Sequence, residues 1–485
     1  MDNKTTLLLK SLQTMLANPA LRQSNDAALM AHMGLVDTVM VGLIAQHAVV
    51  PGLIEDVKAA YVKMLPDLEP MCATDAAASE ALRKLRAAID SSRWSSFDAI
   101  LRAATNLQNA LYAIGSPATT ELRRQMVRIE NQYSTGLMAA LKAAPASSDA
   151  GAASGAAHVR SYDEDALRRF IVANYPGESA VKITKSSFLS GGFSKYTMVI
   201  ELAGNRELPS SIVLRGDSFS AFGGSSTTEE YRVLKVLFDH GVRVAKPLAV
   251  EESGEVFGAP FLLVEKKPGR SIGHMFDPPA KNAATCRDVA TRLAEIHKVP
   301  VGAFGADARG ADTTSKEYVK TWIDQSYASW KALDTPCVLM ETSFRWLSDN
   351  LDHYDGGRAL VHGDFGLNNI LIDEQMVSSI LDWEFAHIGN PAYDLGYFRF
   401  QAESLGSWEE FLQAYAAAGG TVPDRKILDY ATLLSETRLT TMTRQAEAAY
   451  YAGAPLGAAG AVNATAGYRN TSDMRIAALL DRLMV

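Results

Sequence analysis

Cysteine is scarce in this chain. Cys72, Cys286 and Cys337 stand far apart with no C-x-x-C or Cys/His spacing, which argues against a disulfide framework or a zinc site and for a reducing compartment. Excess positive charge is lacking too: a formal net charge of −8 offers no chain-wide basic face, so nucleic acid is not expected as a partner. Long apolar runs are also missing. "MGLVDTVMVGLIAQ" is interrupted by Asp37 and falls short of the roughly 20 residues that span a bilayer, and "MDNKTTLLLKSLQTML" has no basic stretch leading into such a run. The composition predicts a cytoplasmic protein that uses no membrane.

What remains is length and pattern. At roughly 150 residues per domain, 485 residues allow about three units. The clearest boundary is "AAPASSDAGAASGAAH", residues 143–158, with eight Ala, three Ser and two Gly, a linker composition. Before it, residues 1–142 read as an all-helical bundle. Apolar positions recur at three and four residues in "TELRRQMVRIENQYSTGLMAALK", from Leu122 and Met126 to Leu137 and Leu141, with Thr119 or Thr120 as the expected cap. Similar stretches near 4–17, 27–48, 54–65, 75–90 and 96–113 predict five or six helices in all.

After the linker the period changes. "VKITKSSFL", "YTMVIEL", "SSIVLRG", "PLAVEES" and "EVFGAPFLLVEKK" carry β-branched and aromatic residues between turn formers, which predicts a five-stranded sheet interrupted by the helical "STTEEYRVLKVLFDHG". From "CRDVATRLAEIHKV" onward the pattern is mostly helical. The expected fold is α+β: an all-α N-terminal bundle, the linker, a small antiparallel-sheet lobe (159–267) and a helical lobe (268–485).

One segment holds more polar chemistry than a connection needs. "ALVHGDFGLNNILI" puts His362, Asp364, Asn368 and Asn369 between two short apolar runs, and "VSSILDWEFAHIGNPAYDLGYF" follows. Phosphoryl transfer asks for an acceptor hydroxyl aimed at the γ-phosphate and a divalent metal held against phosphate oxygens. A carboxylate at a strand end can orient that hydroxyl and take its proton, while an amide oxygen and a second carboxylate hold Mg²⁺. Asp364, Asn369 and Asp382 supply this set, in the order of a kinase catalytic loop and metal aspartate. Taken singly, each of these residues reads as a turn former.

Together the two stretches resemble the paired signatures of the aminoglycoside phosphotransferase family, whose fold is bilobal and protein-kinase-like; the resemblance covers roughly 160–485. It implies ATP and Mg²⁺ as cofactors, Asp364 as the catalytic aspartate, and Asn369 and Asp382 as metal ligands. His362 is expected to fix the loop backbone and Asp394 to brace it, while for Glu384 a second metal site and a bond within the loop stay open. On the nucleotide side, "FLSGGFSKYTMVI" supplies Gly191, Gly192 and Ser194 in a turn whose amides suit phosphates. Arg215 stands where the kinase pattern has lysine, with Glu230, or alternatively Glu229, as its helical partner. "FLLVEKKPG" resembles the hinge, so the backbone around Glu265, Lys266 and Lys267 is expected at the adenine edge, unless these lysines form a solvated edge.

For the acceptor, "VLR", "EEYRVLKVL" and "LDWEFAHIGNPAYDLGYF" look more like the branch of the family found with acyl-CoA dehydrogenases than like antibiotic-modifying enzymes. That resemblance implies a small hydroxylated metabolite such as a hydroxyacyl-CoA, with Arg399, Arg438 and Arg444 as candidates for anionic contacts. The alternatives are an aminoglycoside or amino-alcohol kinase and, in a different class, a non-catalytic nucleotide-binding scaffold. A protein kinase is disfavoured because no A-P-E segment follows Asp382. For the N-terminal helices, homo-oligomer formation and docking of a pathway partner both stay open.

Overall fold

The structure is a computed structural model and describes residues 27–91, 96–143, 162–189, 195–217, 224–272, 279–354, 356–451 and 468–484. The linker beyond Ala143, the 4–17 stretch, and Gly191, Gly192 and Ser194 lie outside the described residues.

Among the described residues, four helices come first in chain order: α1 (Ala27–Cys72), α2 (Ala76–Ile89), α3 (Ser96–Ile114) and α4 (Pro117–Ala143). The stretches 27–48 and 54–65, expected as separate helices, are one. Pro51 removes an amide donor from α1, yet Ile54, Val57, Tyr61, Met64 and Leu68 recur at three and four residues and are all buried, so packing carries the helix onward. The N-terminus of α4 differs from expectation as well. Pro117 takes the first helical position and Ser116 precedes it, its Oγ accepting from the Thr119 amide at 3.2 Å, so the cap is Ser116 rather than Thr119 or Thr120.

Next come α5 (Glu164–Asn174), β1 (Lys182–Leu189), β2 (Lys195–Ala203), β3 (Ser211–Asp217), α6 (Thr227–Asp239), β4 (Pro247–Glu251) and β5 (Phe261–Glu265). The strands form an antiparallel five-stranded sheet of order β1-β2-β3-β5-β4, as the alternating pattern predicts. Its core gathers Met198, Ile200, Leu214, Phe261 and Leu263 with Leu167 and Ile171 of α5. A short β6 (Arg270–Ser271) leads to α7 (Ala283–Lys298), α8 (Ser315–Ala332) and α9 (Val338–Asp349). Then β7 (Ala359–Val361), β8 (Ile370–Asp373), β9 (Met376–Ile380) and β10 (His387–Gly389) frame the catalytic segment, before α10 (Ala392–Leu405), α11 (Trp408–Ala417), α12 (Arg425–Tyr451) and α13 (Tyr468–Leu483).

Two compact units result, and they do not follow chain order. One takes the described residues of Met1–Ala153, Thr321–Asn350 and Leu433–Val485; the other takes Ser154–Lys320 and Leu351–Thr432. A single helical lobe over 268–485 therefore differs from the structure, in which α9 and α13 belong with the N-terminal helices. Long-range polar contacts inside the helical unit explain this. Gln108 Nε2 donates to Thr342 Oγ1 at 2.5 Å, Glu130 Oε2 accepts from the Leu339 amide at 2.8 Å, and Arg128 meets Asp481 at 2.6 Å. No helix among the described residues is long and apolar enough to cross a membrane.

Candidate active site

The site is built on two short loops in the sheet-containing unit. The first leaves β7 as His362-Gly363-Asp364. Gly363 has φ +81, and a Cβ there would sit 2.4 Å from the Phe385 carbonyl oxygen, so only glycine fits. His362 is fully buried; its Nε2 lies 2.9 Å from the Leu381 oxygen, and its Nδ1 accepts from the Asp364 amide at 3.2 Å. That geometry makes His362 a clamp between the two loops.

Asp394, in the first turn of α10, is buried and unusually well served. Its Oδ2 accepts from the His362 amide at 2.7 Å and lies 3.1 Å from His297 Nε2, while Oδ1 accepts from the Gly363 amide at 2.9 Å. Burial alone would raise its pKa, but His297, the His362 ring and the His362 amide outweigh it and hold the carboxyl below the ordinary carboxylate range. Asp394 thus fixes the backbone that presents Asp364.

Asp364 is held at both oxygens. Asn369 Nδ2 donates to Oδ2 at 2.8 Å and to the Asp364 carbonyl at 2.9 Å, and the Tyr397 hydroxyl donates to Oδ1. Tyr397 lies three residues after Asp394 on α10, so helical spacing puts both on the catalytic loop. Asn369 Oδ1 accepts from Asn368 Nδ2 at 2.9 Å, and its carbonyl accepts from the Leu381 amide at 2.8 Å, tying the first loop to the second.

The second loop follows β9 and holds Asp382 at φ +65, a left-handed conformation uncommon outside glycine. Burial would raise the Asp382 pKa; the Arg215 guanidinium, with Lys195 and His362, overrides it and keeps the group ionised. Arg215 Nη2 lies 2.8 Å from Asp382 Oδ1 and Nη1 lies 3.3 Å from Glu230 Oε1. Glu230 is the helical partner; Glu229 instead forms a capping box with Ser226 at the start of α6. Lys195 Nζ also reaches Glu230, at 2.8 Å with both side chains buried. Glu384 is buried near Arg215, which its charge favours, and its backbone oxygen accepts from Ser225 at 2.7 Å. Gly224 leaves room for its carboxylate: a Cβ there would meet Glu384 Oε2 at 2.6 Å.

In the segment expected as the hinge, Glu265 pairs with Lys267 at 2.8 Å, and the Glu265 and Lys266 amides are already engaged by the Lys246 and Ser211 carbonyls. A cavity of about 490 Å³ lined by Phe238, Arg243, Lys267 and Ser378 does not include Asp364 or Asp382. Arg399 is satisfied internally by Asp429 at 3.0 Å, and Arg438 and Arg444 fall in the helical unit. Among the described residues no cluster of three or more His, Cys, Asp or Glu side chains could hold a metal alone. A cation here would depend on Asn369 and Asp382 oxygens together with phosphate, and that all-oxygen donor set suits Mg²⁺.

Sequence reasoning missed Lys195, Tyr397 and His297. Strand alternation was the available signal for Lys195, and the three-residue step from Asp394 was the signal for Tyr397. His297 offered none, since it reaches Asp394 only through the packing of α7.

Known proteins share part of this sequence and this fold. Residues 189–431, half of the chain, match the phosphotransferase enzyme family APH. Acyl-CoA dehydrogenase family member 11 of Pongo abelii is 28% identical over 247 residues, 50% of this chain and 29% of that protein. Its Rattus norvegicus counterpart is 33% identical over 174 residues, 35% of this chain and 22% of that protein. The chain therefore spans less than a third of the length of these two relatives. Hygromycin-B 4-O-kinase of Escherichia coli is 27% identical over 111 residues, 22% of this chain and 33% of that protein. Among solved structures, a Ralstonia eutropha protein assigned as an aminoglycoside phosphotransferase shares the fold with TM-score 0.50 and 20% identity, covering 66% of this chain and 99% of that one.

Proposed function

Because the chain belongs to the phosphotransferase enzyme family, we propose that it transfers the γ-phosphate of ATP to a hydroxyl of a small molecule, a hydroxyacyl-CoA or related hydroxylated metabolite. The observation that carries this reading is the state of Asp364, oriented at both oxygens by Asn369 and Tyr397 and seated on a loop braced by Asp394.

Asp364 aims the acceptor hydroxyl and takes its proton as the oxygen attacks phosphorus. An incoming hydroxyl displaces the Tyr397 donor from Oδ1, while Asn369 keeps the carboxylate from turning. Arg215 contacts phosphate oxygens, and Glu230 orients it. Asn369 and Asp382 would hold Mg²⁺, which when bound neutralises charge on the phosphate oxygens. Gly191, Gly192 and Ser194 would cover the phosphates through backbone amides, and the Glu265 to Lys267 backbone would meet adenine. Glu384 is assigned to holding the loop next to Arg215.

The acceptor class rests on the relatives. Those named acyl-CoA dehydrogenase family member 11 match over up to 60% of this chain and favour an acyl-CoA-derived acceptor. The shorter match to a hygromycin-B kinase favours a second reading, an aminocyclitol or amino-alcohol acceptor. We assign the N-terminal helices to oligomer formation or partner docking, and the protein to the cytoplasm.

ADP release with Mg·ATP across hydroxyacyl-CoAs, free hydroxy acids, aminoglycosides and amino alcohols, with Asp364→Asn as blank, tests the proposal. Release above the blank with a hydroxyacyl-CoA or hydroxy acid supports it. Release only with an aminoglycoside or amino alcohol replaces it with the second reading. ATP binding without release for any class points to a non-catalytic nucleotide-binding protein.

A further inference from the structure

Glu230 is a single buried carboxylate with two cations on it. The antiparallel register of β2 and β3 sets Thr197 opposite Arg215 and Lys195 opposite Asp217. Residues two apart on a strand share a face, so Lys195 and Arg215 project from the same side of the sheet, toward the Glu230 helix. Lys195 Nζ lies 2.8 Å from Glu230 Oε2, with side chains 3% and 1% exposed, and Arg215 Nη1 lies 3.3 Å from Glu230 Oε1.

The contacts of Arg215 give this arrangement its meaning. Lys195 and Arg215 share Glu230, and Arg215 also holds Asp382 at 2.8 Å, with Glu384 acting on Arg215 and Asp217 on Lys195 through charge. Were Asp382 to hold a metal ion, the guanidinium would lose that close acceptor, and a buried cation demands a partner in contact. An anion entering with the metal supplies it. Two further features fit an anion there. Arg215 Nε is buried with no partner among the described residues. Lys195 also directly follows residues 190–194, and an ammonium has three donors, of which Glu230 takes one among the described residues.

We propose that Lys195 is a second phosphate-binding cation, so that the nucleotide phosphates are gripped by a Lys–Arg pair from β2 and β3 that shares Glu230. The inference rests on the phosphotransferase reading. It divides the work of a single strand lysine between a compact ammonium that meets phosphate as a point charge and a planar guanidinium that spans phosphate and Asp382.

Isothermal titration of the full chain with ATP, ADP and adenosine, each with Mg²⁺, tests it. Lys195→Met should weaken ATP and ADP by on the order of tenfold to a hundredfold, the effect of one hydrogen bond to a charged group, and leave adenosine within about twofold. Lys195→Arg should recover most of that loss. Unchanged ATP and ADP affinity in Lys195→Met overturns the inference, as does an equal loss for all three ligands, which marks a merely structural ion pair. Should Lys195→Met not fold, Lys195→Met/Glu230→Gln is compared with Glu230→Gln alone and read the same way. If the wild-type chain binds neither ATP nor ADP, the phosphotransferase reading falls first; if it binds both and Lys195→Met does equally, only the Lys195 assignment falls.

Discussion

In the sheet-containing unit polar contacts converge on one pair of loops and the sheet beside them, with Lys195 meeting Glu230 at 2.8 Å and Asp394 accepting from two backbone amides within 2.9 Å, whereas in the helical unit they tie separate helices, as Gln108 to Thr342 at 2.5 Å, Arg128 to Asp481 at 2.6 Å and Glu130 to the Leu339 amide at 2.8 Å. Buried side-chain polar atoms with no partner among the described residues occur in both units, Thr105 Oγ1 and Thr440 Oγ1 in the helical one and Arg215 Nε and Ser379 Oγ in the sheet-containing one. Contacts that converge on one loop fix its side chains together, while contacts between separate helices fix those helices against each other. The difference teaches where order is needed. Charge stabilisation during phosphoryl transfer depends on groups already in place, and the convergent network lies within the stretch that matches the phosphotransferase family. The helical unit is held by apolar packing around Leu68, Leu85, Leu107, Leu111 and Met126, and packing tolerates imperfect polar pairing more readily.

The comparison can be broken or sharpened by substitution. The largest effect is expected for Asp382→Ala, which should abolish the Mg²⁺ dependence of nucleotide binding and lower turnover by roughly 10³-fold or more. Titration of ATP with and without Mg²⁺ checks this, and a retained difference between the two would remove Asp382 from the metal site. Asp394→Ala comes next. It strips the His362 and Gly363 amides and His297 of a buried acceptor, so a loss of about 3–5 kcal/mol is expected in denaturant unfolding.

Tyr397→Phe should act on chemistry alone. Loss of the hydroxyl on Asp364 Oδ1 loosens the carboxylate, lowering kcat by about tenfold with KM for ATP unchanged. A rise in KM without a change in kcat would place Tyr397 in substrate binding instead. The smallest expected effect on activity belongs to the helical unit, where stability is the readout. Burial, with Asp473 nearby, pushes Glu130 up to about 7. A carboxyl raised in the folded state adds stability that is fully present below its unfolded value near 4.5 and is lost as pH rises through about 7. Glu130→Gln should flatten that slope, worth up to about 3 kcal/mol, in melts between pH 4.5 and 7.5. An unchanged pH profile would show that Glu130 titrates normally.

Local signals made much of the sheet-containing unit legible. Strand alternation marks all five strands, and the segment from His362 to Asp382 keeps the candidate catalytic and metal-binding residues within about twenty positions, so the loops can be read without knowing the fold. What escaped depends on tertiary placement. Lys195 is a strand-end residue until the register sets it beside Arg215, and His297 reaches Asp394 only through α7 packing. Helix ends escaped for another reason: Pro51 is a strong breaker by local chemistry, but burial of the residues after it overrides that preference. The division into units was hardest to see. α9 and α13 look like any other amphipathic helices of the second half, and only contacts such as Glu130 with Leu339 and Arg128 with Asp481 show which core they join.

Parallel measurement of nucleotide affinity and turnover in the wild-type chain and Asp364→Asn bears on the chemistry with least ambiguity. If Asp364 orients the acceptor and takes its proton, the substitution lowers turnover with the accepted hydroxyl compound by about 10²-fold to 10⁴-fold and leaves the Kd for Mg·ATP within about twofold. If turnover survives, or falls only as far as nucleotide affinity falls, Asp364 is not the catalytic base and the assignment of this loop is wrong.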